Sequence, residues 1–179
     1  MTEESYRFWC LIATWMTAFG TVGAVIVSLF LAGREQRVKL SVGAGHRIIL
    51  NQGANPKPPE YCLIYVTNIG LRKARIVNIG WRIGFENPKF FIQTPPISTP
   101  SSEMPTELHD GEEARYLLPL SGGVGDSEWV DQFIPFLGRN KELDIRSMKV
   151  QIHTSIGKVF ESKIEKGFAD WLVKYVRER

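Results

Sequence analysis

The chain has 179 residues, 44% hydrophobic and 23% charged, with a formal charge of +3 at neutral pH. Glu3, Glu4 and Arg7 contribute −1 of this, so the part from Arg34 onward carries +4, mildly basic and short of the concentrated footprint of a nucleic-acid binder. Two cysteines, Cys10 and Cys62, and the lack of any Asn-x-Ser/Thr acceptor exclude a disulfide framework and fit a reducing compartment.

From the N-terminus, a short acidic segment (1–7) precedes 26 residues, Phe8 to Gly33, without a charge. As a helix that run is about 39 Å long, enough to cross a hydrocarbon core of ~30 Å with some tilt. A cleavable signal would need a basic start and a shorter apolar run, and a soluble core this small rarely hides a helix apolar on every face. Tyr6 and Trp9 stand where an interfacial aromatic belt would lie. The sequence therefore predicts a transmembrane helix over 8–33. Within it Thr17, Gly20, Ala24 and Ser28 recur on one helix face, small enough to let a second backbone approach. One basic residue (Arg7) precedes the run, whereas Arg34 and Arg37 of a basic collar (34–37), then Lys39, follow it. Positive charge stays on the cytoplasmic side, so these three residues place the N-terminus outside and the following domain in the cytoplasm.

From Val38 the apolar period becomes two. "VKLSV" sets Val38, Leu40 and Val42 inward; "YCLIYVTN" reads as a central strand; "VNIGWRIGF" puts Val77, Ile79, Trp81, Ile83 and Phe85 on one face. "KFFIQT" is a short strand before a loop with Pro95, Pro96, Pro100 and Pro105, unfit for ladder bonds. "EARYLLPL" follows the Asp110-Gly111 turn, and "IRSMKVQIHT" with "KVFESKI" flanks a hairpin turn at Ser155-Ile156-Gly157. Short strands without βαβ alternation predict a mainly β domain over 38–165, an antiparallel immunoglobulin-like sandwich. One helix, "DSEWVDQFIPFL", is expected within it, capped by Asp126 or Ser127, with Trp129, Phe133 and Phe136 or Leu137 as its apolar side. A C-terminal amphipathic helix (166–179) carries Phe168, Leu172 and Val176 at helical spacing. That stripe favours docking on the sandwich; the alternative is that Trp171, Lys174, Tyr175 and Arg177 form a membrane or partner surface.

Residues able to do chemistry are sparse. His46, His109 and His153 are far apart without metal-ligand spacing, and Glu107, His109 and Asp110 read as a solvated turn. "SGGVGDS" opens onto the inserted helix as a phosphate cradle would, but it lacks the Lys-Ser/Thr of a P-loop, and Asp126 would repel an anion. Arg72, Lys73, Arg75 and Arg82 alternate with apolar residues, yet the total charge is too low for a nucleic-acid surface. No enzyme and no cofactor are expected.

The run ending in "GREQR", the stretch "YVTNIGLRKARIVNIGWRIG" and the hairpin "HTSIGKVFESK" together resemble uncharacterised bacterial, often prophage-borne, single-pass membrane proteins with a cytoplasmic β-sandwich. The resemblance implies the inner membrane as location and no particular chemistry. The functional expectation is a membrane-anchored protein-interaction module that contacts the bilayer and a protein partner or a second copy. The alternatives are a membrane-perturbing effector of phage exclusion or defence, and a membrane-anchored hydrolase.

Overall fold

The structure, a computed structural model, describes residues 3–35, 37–50, 58–94, 100–120 and 129–178. The chain divides into two compact units, Met1–Arg37 and Val38–Arg179.

The first unit is a single helix, α1 (Glu3–Glu35). Its segment Glu3–Gly33 is long and apolar enough to cross a membrane, and its most apolar stretch is nowhere buried against protein. Trp15, Met16, Phe19 and Phe30 stand exposed around it, which water would oppose at about 25 cal/mol per Å² and lipid would not. Thr14 and Thr17 donate their hydroxyls to the carbonyls of Cys10 and Ala13 at 2.8 Å, and Thr21 to that of Thr17 at 3.0 Å. These hydroxyls are thus satisfied inside the helix, as a hydrocarbon environment requires.

The second unit mixes strand and helix: β1 (Leu40–Ile48), β2 (Glu60–Asn68), β3 (Ala74–Ile83), β4 (Lys89–Gln93), β5 (Thr106–Leu108), β6 (Glu113–Pro119), α2 (Lys141–Arg146), β7 (Lys149–Thr154), β8 (Val159–Lys163) and α3 (Lys166–Glu178). One antiparallel sheet has the order β1-β2-β6; the other has β4-β3-β7-β8, with β5 beside the start of β3. Cys62, Ile64, Val66, Tyr116 and Leu118 from the first sheet and Ile76, Ile79, Trp81, Val150 and Ile152 from the second share one buried core. Alternation in β2 and β6 puts every second side chain inward, as a half-buried sheet demands.

The alternation expected through "VNIGWRIGF" breaks in two places. A bulge between Ile76 and Asn78 shifts the register against β7, so Ile76 joins the core beside Ile79 and Val77 is only half-buried. Gly84 then takes a φ of +105°, open to glycine but strained for other residues. The strand ends there, and Phe85 is exposed rather than inward.

The inserted helix also differs from expectation. Its described part is two short 3-10 turns, Trp129–Gln132 and Ile134–Phe136, while Asp126 and Ser127 lie outside the described residues. Pro135 at the start of the second turn has no N–H to continue a helix. Trp129 is held instead by its neighbours: its ring lies 5.2 Å from Trp81, and its indole N–H donates to Gln93 Oε1 at 2.7 Å. Phe133 is buried, but Phe136 is exposed. "IRSM" is likewise not strand, because Ile145 and Arg146 end α2 and β7 begins at Lys149.

α3 closes the core. Phe168, Ala169, Leu172, Val173 and Val176 are buried, and full burial of a side chain such as Phe168 stabilises by about 2–3 kcal/mol. Its entry is fixed at Glu165, whose N–H donates to the Ala44 carbonyl at 2.8 Å and whose carboxylate takes two 2.8 Å hydrogen bonds from Arg47.

Candidate interaction surface

At the end of the second sheet where β3 stops, Phe85, Lys89, Phe136, Arg139, Lys141 and Leu143 line an open cleft. Asp144 organises it. This largely buried carboxylate accepts the Phe85 N–H at 2.9 Å and the Gly138 N–H at 2.6 Å, tying the turn after β3 to the segment before α2. Asn140 caps α2 by accepting the Leu143 N–H at 3.1 Å. Lys89 donates to the Phe136 carbonyl at 3.0 Å and lies over that ring, which packs 5.2 Å from Phe91. The backbone is therefore held while Phe85, Phe136 and Leu143 keep much of their surface in water.

The cleft continues into β4, an edge strand. Phe91 packs on the core, so Phe90 and Ile92 face the other way, 64% and 75% exposed. They lie opposite Arg82 and Gly80 of β3, and the Gly80 position is closely covered: a Cβ there would come within 3.0 Å of the Phe91 carbonyl and 3.2 Å of the His153 ring. Beyond it the sheet face is polar, with Glu161 taking hydrogen bonds from Gln151 and Lys149 that hold its carboxyl below the usual range.

The other sheet's edges are treated differently. Ser101 and Ser102 accept the β6 N–H groups of Leu117 and Arg115 at 3.0 Å, and Glu165 meets β1 at Ala44. On β4, among the described residues, no strand pairs on the outer side. An apolar edge left open is a template for another chain.

Thr17, Gly20, Ala24 and Ser28 lie on α1, all exposed; a Cβ at Gly20 would meet nothing, and the Thr17 hydroxyl is engaged within the helix. Arg34 falls in the last turn of α1, and Arg37 and Lys39 are exposed. On α3, Trp171 is taken up by the domain, stacked 5.2 Å from His46 and 5.4 Å from Tyr175. Tyr175 reaches Asp131 at 3.4 Å, Arg177 pairs with Glu142, and Lys174 points to solvent with Glu178 at 3.9 Å.

The histidines stay apart. His46 Nε2 is 2.9 Å from Glu60; His109 sits on the β5–β6 turn, its N–H donating to Glu112 at 2.8 Å; His153 pairs in register with Asn78 and Val159. Among the described residues no three His, Cys, Asp or Glu side chains converge. Burial pushes the Cys62 thiol up, out of the reactive range, and raises the Tyr116 hydroxyl to about 12. The glycine-rich segment 121–127 lies outside the described residues.

Of the two alternatives Phe136 and Leu137, it is Leu137 that packs against the core, while Phe136 and Phe85 are exposed; the strand pattern of "KFFIQT" gives Phe90 and Ile92 no role. The sequence signal is "FFI": three consecutive large apolar residues in a strand place apolar groups on both faces, so at least one of them faces away from the core.

No family model matches this chain, and no curated protein matches it. Among solved structures, a Bordetella pertussis protein assigned as ApaA aligns over 72% of this chain and 89% of its own, at 18% identity and a TM-score of 0.33. A likeness that slight carries no argument.

Proposed function

We propose that this protein is a single-pass membrane anchor carrying an interaction domain, and that the domain receives a protein partner along β4 and the adjoining cleft. The observation that carries the reading is the exposed pair Phe90 and Ile92 on an edge that, among the described residues, pairs with no further strand. A partner strand added there would satisfy backbone groups and cover both side chains, and acidic residues on it would meet Lys89, Arg139 and Lys141. The strand order β1-β2-β6 and β4-β3-β7-β8 supports a mainly β immunoglobulin-like sandwich, with the arrangement A-B-E opposite C′-C-F-G. The excess of Arg34, Arg37 and Lys39 over Arg7 supports a cytoplasmic domain of an inner-membrane protein, and the open small-residue face of α1 is where two copies would meet.

The test compares full-length chains isolated from membranes with their bound protein. Phe90→Glu with Ile92→Glu is expected to lower recovery of the partner at least tenfold, a cost of about 1.4 kcal/mol, while the melting temperature is unchanged. Equal recovery by the variant places the partner elsewhere. A reporter active only in the cytoplasm, fused after Arg179, is expected to be active; activity of a periplasmic reporter alone would reverse the sides.

A further inference from the structure

The other end of the domain exposes a second patch, of different composition. Segments 69–73 and 155–158 lie beside the start of the domain: the Ile69 N–H donates to the Lys39 carbonyl at 3.0 Å, the Ser155 N–H to that of Arg75 at 2.9 Å, and Lys158 Nζ to that of Val38 at 3.5 Å. Ile69, Leu71 and Ile156 project from these segments with more than half of their surface exposed. Lys39, Arg72, Lys73, Arg75 and Lys158 are exposed around them, and residues of both segments line one shallow depression with Val38. The tips are held out by construction. Fully buried Asn68 accepts the Gly70 N–H at 3.0 Å and donates to the carbonyls of Arg72 and Leu108 at 2.9 and 3.0 Å, so the loop cannot fold its aliphatic residues back. The acids at this end are engaged: Glu107 lies 3.9 Å from Arg75, Glu112 accepts the His109 N–H, and Glu113 pairs with Arg115. Asp110 lies with them on the β5–β6 turn.

We propose that this end of the domain docks on an anionic bilayer surface, with Ile69, Leu71 and Ile156 entering the headgroup region and Lys39, Arg72, Lys73 and Lys158 meeting lipid phosphates. Aliphatic tips ringed by Lys and Arg have the composition of an interfacial membrane contact. Continuity of the chain selects lipid over an acidic protein surface. Only Gln36 and Arg37 separate Glu35, the last residue of α1, from Val38 in the sequence, and so short a tether keeps the local concentration of membrane high. The inference rests on α1 being the membrane anchor.

The test uses the full-length chain in nanodiscs, spin-labelled at Leu71→Cys or Ile156→Cys in a Cys10→Ala background, Cys62 being buried; Lys163→Cys, exposed at the far end of β8, is the reference. In discs with roughly a third phosphatidylglycerol, labels at 71 and 156 are expected to lose collisions with an aqueous nickel chelate about tenfold relative to neutral discs. They should gain collisions with dissolved oxygen, while position 163 stays wet. Each cation near such a surface strengthens contact on the order of fivefold, so Arg72→Gln with Lys73→Gln, or high salt, should reverse the protection. Labels at 71 and 156 as wet as 163 in anionic discs overturn the proposal. So does protection equal in neutral and anionic discs, which would mean that a second copy or another protein covers the patch. A chain that fails to enter the discs overturns the anchor reading and this inference with it, whereas an inserted chain with wet labels overturns this inference alone.

Discussion

The two ends of the domain solve one problem with different chemistry. Each holds exposed apolar side chains in water by means of a buried polar group that ties separate segments together: Asn68 at the end bearing Val38, Asp144 at the end where β3 stops. At the first end the group is a neutral amide, fully enclosed, and the exposed residues are aliphatic tips among cations. At the second it is a carboxylate at the rim of a cleft, and the exposed residues are large aromatics running into an open strand edge. Aliphatic tips among cations suit a surface without fixed shape, whereas an edge strand beside a cleft suits a chain with defined backbone and side chains. The difference teaches that exposed apolar area alone does not identify a partner; the group that holds it out and the charges around it do.

Breaking the two organisers should separate the ends. Asn68→Ala leaves two carbonyls and the Gly70 N–H without their partner in a buried setting, and is expected to cost about 3 kcal/mol. Asp144→Ala removes a largely buried carboxylate at the cleft rim and the hydrogen bonds it accepts from two backbone N–H groups, and is expected to cost about 2 kcal/mol. Denaturant unfolding of the detergent-solubilised chain measures both; a larger loss from Asp144→Ala would invert the comparison. Hydrogen exchange sharpens it, since Asn68→Ala should loosen 69–73 and Asp144→Ala should loosen 84–88 and 137–140.

The smallest effect belongs to neither end. Hydrogen bonding from Arg47 holds the Glu165 carboxyl below the usual carboxylate range. A lowered folded-state pKa stabilises the fold above the unfolded value near 4.5 and loses that contribution as pH falls through the folded value. Both partners are more than a third exposed, at 43% and 36%, so the loss is at most a few tenths of a kcal/mol. Glu165→Gln should flatten stability below about pH 4.5 and leave both ends intact; an unchanged acid slope would show that the pair does not couple α3 to β1.

Some of this was legible in the sequence. The uncharged run from Phe8 to Gly33, the alternation of "YCLIYVTN" and the hairpin turn at Gly157 each carry their own signal, because lipid thickness, sheet pleat and a glycine turn are local constraints. The bulge at Val77, the exposure of Phe85 and the 3-10 turns around Pro135 were not legible. They depend on register against β7 and on Trp129 packing between Trp81 and Phe168, which are contacts between distant parts of the chain. α2 did leave a trace: Asn140 followed by Glu142 and Asp144 is a cap with an acidic first turn. The exposed edge was half legible, as "FFI" demands two apolar environments but does not say which side is left open.

The reading of β4 as the partner's seat is tested most directly by a photo-crosslinking residue at position 90 of the full-length chain in native membranes, with position 112 as reference. The account predicts one discrete protein adduct at 90, lost when Ile92→Glu is added, and none at 112. Adducts at 112 with none at 90, or equal diffuse labelling at both, would contradict it.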